Sequence, residues 1–85
     1  MELSQVQDYA IQARIAAILG SSVFYRVFAR VRFAEIEGPL LYVYARDERC
    51  AAEIEDDFSL LIADIANRIL KREVELVVVL PRVTQ

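Results

Sequence analysis

Two spacings of hydrophobic residues divide this chain into predicted strands and helices. The segments 40–45 and 74–80 are short and almost entirely apolar, and successive side chains would fall on alternate faces as they do along a β-strand. Apolar residues recur every three or four residues over 2–19 and again after Asp47, as they do on one face of a helix. The chain is therefore predicted to run as a helix, an ambiguous segment, a strand, a long helix and a final strand.

The first predicted helix, which ends at Gly20, has two apolar stripes where an amphipathic helix has one. One stripe consists of Leu3, Val6, Ala10, Ala13 and Ala17, and the other consists of Ile11, Ile15 and Ile18. One stripe can pack against the core, and the other must be buried against a different surface. Either the helix is sunk between its neighbours, or Ile11, Ile15 and Ile18 form a surface for a protein partner or a second copy of the chain.

The segment after Gly20 allows two interpretations. A serine cap and helical spacing support a short helix over 22–29 followed by a strand over 31–36. The apolar residues with this spacing are Phe24, Val27, Phe28 and Val31. An entirely extended segment would instead create a nucleic-acid surface made of Arg26, Arg30, Arg32, Tyr42 and Tyr44. The helical interpretation is favoured because the cap and the spacing agree.

The strand over 40–45 follows a turn at Gly38 and Pro39 and is apolar on both faces, which predicts a central position in the sheet. Its tyrosines suit cross-strand packing, with base or peptide binding as the alternative. Asp47 is placed to cap the long helix. The apolar stripe of that helix, predicted to be the main wall of the core, consists of Ile54, Phe58, Leu61, Ile62, Ile65 and Ile69.

Composition limits the possible chemistry. The 85 residues are 56% hydrophobic and 27% charged, which predicts a single domain over 1–85. The chain has no histidine and only Cys50, so an internal disulfide is excluded and the common zinc ligand sets cannot form. Cys50 also lacks a histidine base, and the acidic residues 53–57 suit a solvated helix face better than a metal site. We expect neither enzymatic activity nor a metal or cofactor.

Charge and hydropathy bear on location and partners. The net charge of −3 argues against sequence-independent attraction to phosphate backbones, although a local basic patch and weak binding to single strands stay possible. The apolar stretch over 10–19 is interrupted by Gln12 and Arg14, so it suits neither a membrane span nor a signal peptide. A cytoplasmic protein is expected.

The predicted order of elements resembles that of KH-like domains. This implies an α+β fold of the KH-like (pseudo-KH) type, αα-β-β-α-β, in which a three-stranded sheet packs against helices. The Gly-x-x-Gly loop with which RNA-binding KH domains grip nucleotides is missing.

Three bacterial replication domains resemble parts of this chain. From Phe24 onward it resembles the N-terminal domain of the initiator DnaA. The matching positions are Phe24, Val27 and Phe28 in an aromatic-rich helix, Leu40–Ala45 in a Leu-x-Leu-Tyr-Ala strand, and Ile54, Asp56 and Phe58 in the long helix. Residues 41–43 and 50–54 resemble the Leu-x-Val strand and Trp-Ala-x-Glu-Leu pattern of the helicase operator DciA, with Cys50 replacing the tryptophan. Residues 74–79 resemble the C-terminal domain of the polymerase III tau subunit.

These resemblances imply a non-catalytic adapter of bacterial DNA replication. Its partner would be the replicative helicase, another replisome component or a second copy of the chain. The DnaA partner surface includes an acidic residue before the first aromatic and a phenylalanine at the start of the long helix. This chain has Val23 and Arg49 at those positions, so the resemblance marks Val23, Phe24 and Arg49 as partner-binding candidates.

Overall fold

The structure, a computed structural model, describes residues 1–82, so the last three residues of the predicted 1–85 domain lie outside the described part. Helix α1 spans Gln5–Leu19 and helix α2 spans Ser21–Phe28. They are separated by Gly20, whose φ of 89° suits glycine and few other residues. The helical interpretation of the segment after Gly20 is therefore confirmed.

Helix α1 begins later than its hydrophobic spacing predicts. Ser4 caps it, because the Ser4 hydroxyl accepts from the Gln7 amide and the Gln7 side chain accepts from the Ser4 amide. The residues before the cap are extended: the Leu3 amide donates to the carbonyl of Ala34 at 2.9 Å. This short N-terminal segment lines the outer edge of the sheet.

Three strands form the sheet, as predicted. They are β1 (Arg32–Glu37), β2 (Leu40–Ala45) and β3 (Leu76–Pro81), in the order β1-β2-β3. The β1-β2 pair is an antiparallel hairpin whose turn includes Gly38 at a φ of 58°, and its register shifts by one residue between Phe33 and Glu35. The β2-β3 pair is parallel, so the chain crosses between these strands through the second helical region.

The second helical region is not the uninterrupted helix that the sequence predicts. It consists of α3 (Glu48–Glu53), a π-helical turn (Ile54–Phe58) and α4 (Ser59–Leu70). A π turn inserts one extra residue and rotates the following residues about the helix axis. Ile62, Ile65 and Ala66 are thereby buried with Ile54, whereas Leu61 is only partly covered.

All the helices pack on one face of the sheet and form a single core with it. The buried residues that the strands contribute are Phe33, Ile36, Leu41, Val43, Ala45, Val77 and Val79. Cys50 belongs to this core, as its predicted role as a small apolar residue requires. Within residues 1–82 no helix has the length and hydropathy needed to cross a bilayer. The fold is thus α+β, with a three-stranded mixed sheet packed against helices.

Candidate partner surface and basic pocket

The second face of the sheet is apolar but lies outside the core. We call it the open face, and its apolar side chains are Leu40, Tyr42 and Tyr44 on β2 and Leu76, Val78 and Leu80 on β3. The register places them in three cross-strand pairs, Leu40–Leu76, Tyr42–Val78 and Tyr44–Leu80. Leu76 is 56% exposed and Leu80 is 40% exposed, because no helix among residues 1–82 covers this face. Large side chains in register and open to solvent are typical of a surface that another molecule covers.

Strand β1 adds charge to one side of the open face. Arg32 pairs with Tyr44, Glu35 with Tyr42, and Glu37 with Leu40. The open face therefore has a cation beside Tyr44 at one end and a carboxylate at the other.

The predicted partner stripe on α1 is wrong for two of its three residues. Ile11 and Ile15 are 0% exposed and lie in the core, so they cannot contact a partner while the domain is folded. The exposed stripe is the alternative one, in which Val6 is 78% exposed and Ala13 and Ala17 also face solvent. The isoleucines take the core position because a larger apolar side chain removes more surface from water than alanine does.

Ile18, the third residue of that stripe, is accessible. It is about half exposed and lines a shallow groove of about 250 Å³ between α1 and α4, together with Arg14, Asp64 and Arg68. Arg68 donates to Asp64 at 3.5 Å, so the mouth of the groove is charged.

The candidates carried over from the DnaA resemblance occupy two neighbouring helices. Val23 and Phe24 lie on α2, partly buried against the core, and the Phe24 ring stacks on Phe28 with centroids 5.5 Å apart. The Phe28 and Phe58 rings pack edge to face, with centroids 5.4 Å apart. Arg49 is exposed in the first turn of α3. Phe24 therefore already has a packing role in the folded domain.

The candidate nucleic-acid residues are only partly brought together. Arg32, Tyr42 and Tyr44 share the open face, as described by the β1-β2 register. Arg26 is elsewhere, since it forms an ion pair with Glu53 at 3.1 Å. Arg30 lines a pocket together with Arg32 and with Arg82, a residue that the sequence patterns did not single out.

This basic pocket has a volume of about 460 Å³ and lies between the start of α1, residues 30–33 and Arg82. The Arg82 Nε donates to the carbonyl oxygen of Arg30 at 2.8 Å. Asp8 lines the pocket too, and its Oδ1 accepts from the Phe33 amide and from Gln12 Nε2, both at 2.9 Å. The Arg82–Arg30 hydrogen bond joins residues 52 positions apart in sequence, so local spacing carries no signal for the pocket.

The environment of Cys50 suits a structural residue. Burial raises the pKa of its thiol, which keeps the thiol neutral near pH 7. The Asp47 Oδ1 accepts from the Cys50 amide at 2.8 Å, and this hydrogen bond lowers the pKa of Asp47. The acidic Glu55, Asp56 and Asp57 are exposed on the π turn, and residues 1–82 contain no cluster of three side chains able to hold a metal ion.

No protein-family model matches the chain, and no curated protein sequence matches it significantly.

Proposed function

We propose that this chain is a non-catalytic protein-interaction module that binds its partner through the open face of the sheet. The observation that supports this proposal most directly is the set of three cross-strand apolar pairs that no described helix covers. Moving an aliphatic side chain from full exposure to full burial contributes about 1.5–3 kcal/mol, so a partner covering this face gains a substantial driving force.

The proposed partner is either a component of the bacterial replication machinery or a second copy of the chain. Among the replication proteins, the replicative helicase is the first candidate. The helicase is proposed because parts of the chain resemble DnaA and DciA domains. A second copy is proposed because the open face is apolar. Two such sheets can pack face to face at a separation of about 10 Å. The partly buried Phe24 and the exposed Arg49 lie on α2 and α3 rather than on the open face, and they form a secondary candidate surface.

The test places a charge at the centre of the open face. In Val78→Lys the ammonium cannot be buried without a large desolvation cost, so association through this face should fall at least tenfold while folding is retained. Light scattering across a dilution series measures self-association, and a titration with the replicative helicase measures heteromeric binding. Val6→Lys is the matched control, because it places the same charge on the exposed stripe of α1.

Each outcome has a definite meaning. A complex lost in Val78→Lys and retained in Val6→Lys supports the open face, and its composition identifies the partner. A complex lost only in Val6→Lys moves the binding surface to α1 and overturns the proposal. The proposal is also overturned if the chain stays monomeric and does not bind the helicase.

We infer a second candidate function, binding of single-stranded nucleic acid, from the pairing of Arg32 with Tyr44 on the open face. A guanidinium beside an aromatic ring can neutralise a phosphate while the adjacent base stacks on the ring. This candidate predicts binding that weakens steeply with salt, whereas an apolar protein contact does not.

A further inference from the structure

The basic pocket concentrates positive charge in a chain whose net charge is −3. Three arginines line it, Arg30, Arg32 and Arg82. None of the three forms an ion pair with any residue in the described part of the chain. Their cationic charge is therefore available to an anion.

The single carboxylate among the lining residues is already engaged. Asp8 Oδ1 accepts two hydrogen bonds, from the Phe33 amide and from Gln12, and Gln12 also donates to the Val31 carbonyl at 3.1 Å. These contacts tie the backbone of residues 31–33 to α1. Asp8 thus holds the wall of the pocket in place while three positive charges face one negative charge.

Arg82 is held in position before any ligand arrives. The hydrogen bond from Arg82 Nε to the Arg30 carbonyl leaves the two terminal nitrogens of Arg82 as donors. Arg30 itself has a φ of 65°, a left-handed conformation that is strained for residues other than glycine. Strained backbone that persists in a fold is often found at binding sites.

The pocket continues onto the open face. Arg32 lines the pocket and is also the cross-strand neighbour of Tyr44, and Tyr42 lies two residues further along β2. We propose that the pocket binds a backbone phosphate of single-stranded nucleic acid and that the adjacent bases stack on Tyr44 and Tyr42. This inference rests on the second candidate function above. It assigns phosphate binding to Arg30, Arg32 and Arg82 and sets the path of the strand across the sheet.

The test uses a short fluorescent oligothymidylate and fluorescence anisotropy between about 50 and 200 mM salt. Neutralisation of the one phosphate in the pocket predicts a slope of log affinity against log salt of about −0.7 on a single strand. Arg82→Gln should weaken binding about tenfold, since a hydrogen bond to a charged group is lost, and should make the slope shallower.

Arg30→Gly is a sharper variant with a matched control. It removes a guanidinium and also relieves the left-handed backbone, so affinity should fall about tenfold while thermal stability is retained or raised. Lys71→Gly makes the same kind of change at the other left-handed residue other than glycine among residues 1–82, outside the pocket, where φ is 55°. Lys71→Gly should leave oligonucleotide affinity within about twofold, because Lys71 is exposed and does not line the pocket.

The outcomes separate the pocket from the wider function. Oligonucleotide binding could be lost in Tyr44→Ala and unaffected by Arg30→Gly and Arg82→Gln. This result would contradict phosphate binding in the pocket but would still support nucleic-acid binding. Absence of any salt-sensitive oligonucleotide binding overturns both. Tighter binding of a serine-phosphorylated peptide than of the oligonucleotide, with the same arginine dependence, overturns the assignment to nucleic acid.

Discussion

The two faces of the sheet are built from the same strands, yet only one of them belongs to the core. Leu41 and Val43 on the inner face are 0% exposed, whereas Leu76 and Leu80 on the open face are 56% and 40% exposed. Both faces are apolar, so hydrophobicity does not distinguish them. The difference is set by the side on which the helices close over the parallel β2-β3 crossover. The inner face stabilises the domain, and the open face stays accessible to solvent.

The largest effect is expected from truncating neighbouring leucines on opposite faces of β2. Leu41→Ala should lower the free energy of unfolding by about 2–5 kcal/mol, because it leaves a cavity in a packed core. Leu40→Ala removes the same atoms from the open face and should cost less than half as much. Urea unfolding followed by circular dichroism measures both variants.

Equal losses in these two variants would contradict the contrast between the faces. They would mean that the isolated chain already buries Leu40, for example by self-association. Repeating the Leu40→Ala measurement at several protein concentrations distinguishes that case, because stability gained by association depends on concentration.

The sequence predicts most of the fold for physical reasons that are local. The boundaries of β2 are as predicted, and α2 differs from its predicted range by one residue at each end, since alternation and capping act over a few residues. The π turn was missed because it preserves an apolar stripe while changing its phase. The extended residues before Ser4 were predicted as helix because their hydrogen bonds go to β1, about 30 residues away.

The candidate sites were less predictable because they depend on tertiary packing. Which stripe of α1 faces the core depends on the opposing surface, and that surface buries Ile11 and Ile15 and leaves Val6 exposed. The grouping of Arg32 with Tyr44 follows from the hairpin register and was foreseen as an alternative. Arg82 joins Arg30 only through the parallel crossover, which no local pattern encodes.

A smaller loss of stability is expected where β3 is positioned against the inner layer. The Asn67 Oδ1 accepts from the Val74 amide and orders the connection between α4 and β3. Asn67→Ala should leave this amide without a partner close to the buried Val74 side chain, at a cost of about 1–3 kcal/mol measured by urea unfolding.

Asn67→Asp is the control for that variant, since a carboxylate oxygen can still accept from the amide. It should be less destabilising than Asn67→Ala. Identical losses in the two variants would mean that the hydrogen bond does not determine the position of β3.

The cap of α1 should contribute less than the Asn67 contact. Ser4→Ala removes the acceptor of the Gln7 amide and should cost about 1 kcal/mol in unfolding free energy. Ser21→Ala is the matched control, because the start of α2 has no side-chain cap, and it should change stability by less than about 0.5 kcal/mol. Since Ser4 also lines the basic pocket, an oligonucleotide titration of Ser4→Ala tests whether fraying of α1 affects the proposed phosphate site.

The smallest effect concerns Asp47, which begins the crossover that places the helices on the inner face. The hydrogen bond from the Cys50 amide lowers the pKa of Asp47 in the folded state below its ordinary value. A carboxyl group with a lowered folded pKa stabilises the fold above its unfolded pKa, and this contribution is lost as pH falls through the folded pKa. Asp47→Asn keeps a good cap but removes the charge, so wild type should be the more stable at pH 7, and the difference should shrink below about pH 4.

Urea unfolding of both proteins from about pH 7 to pH 3 measures this difference. Asp64→Asn is the control, because it removes an equal charge from an exposed pair that caps no helix. A difference at Asp47 that stays constant down to the lowest pH would mean that the cap acts through its geometry alone. A difference that grows on acidification would reverse the assigned sign and show that the carboxylate is destabilising in the folded chain.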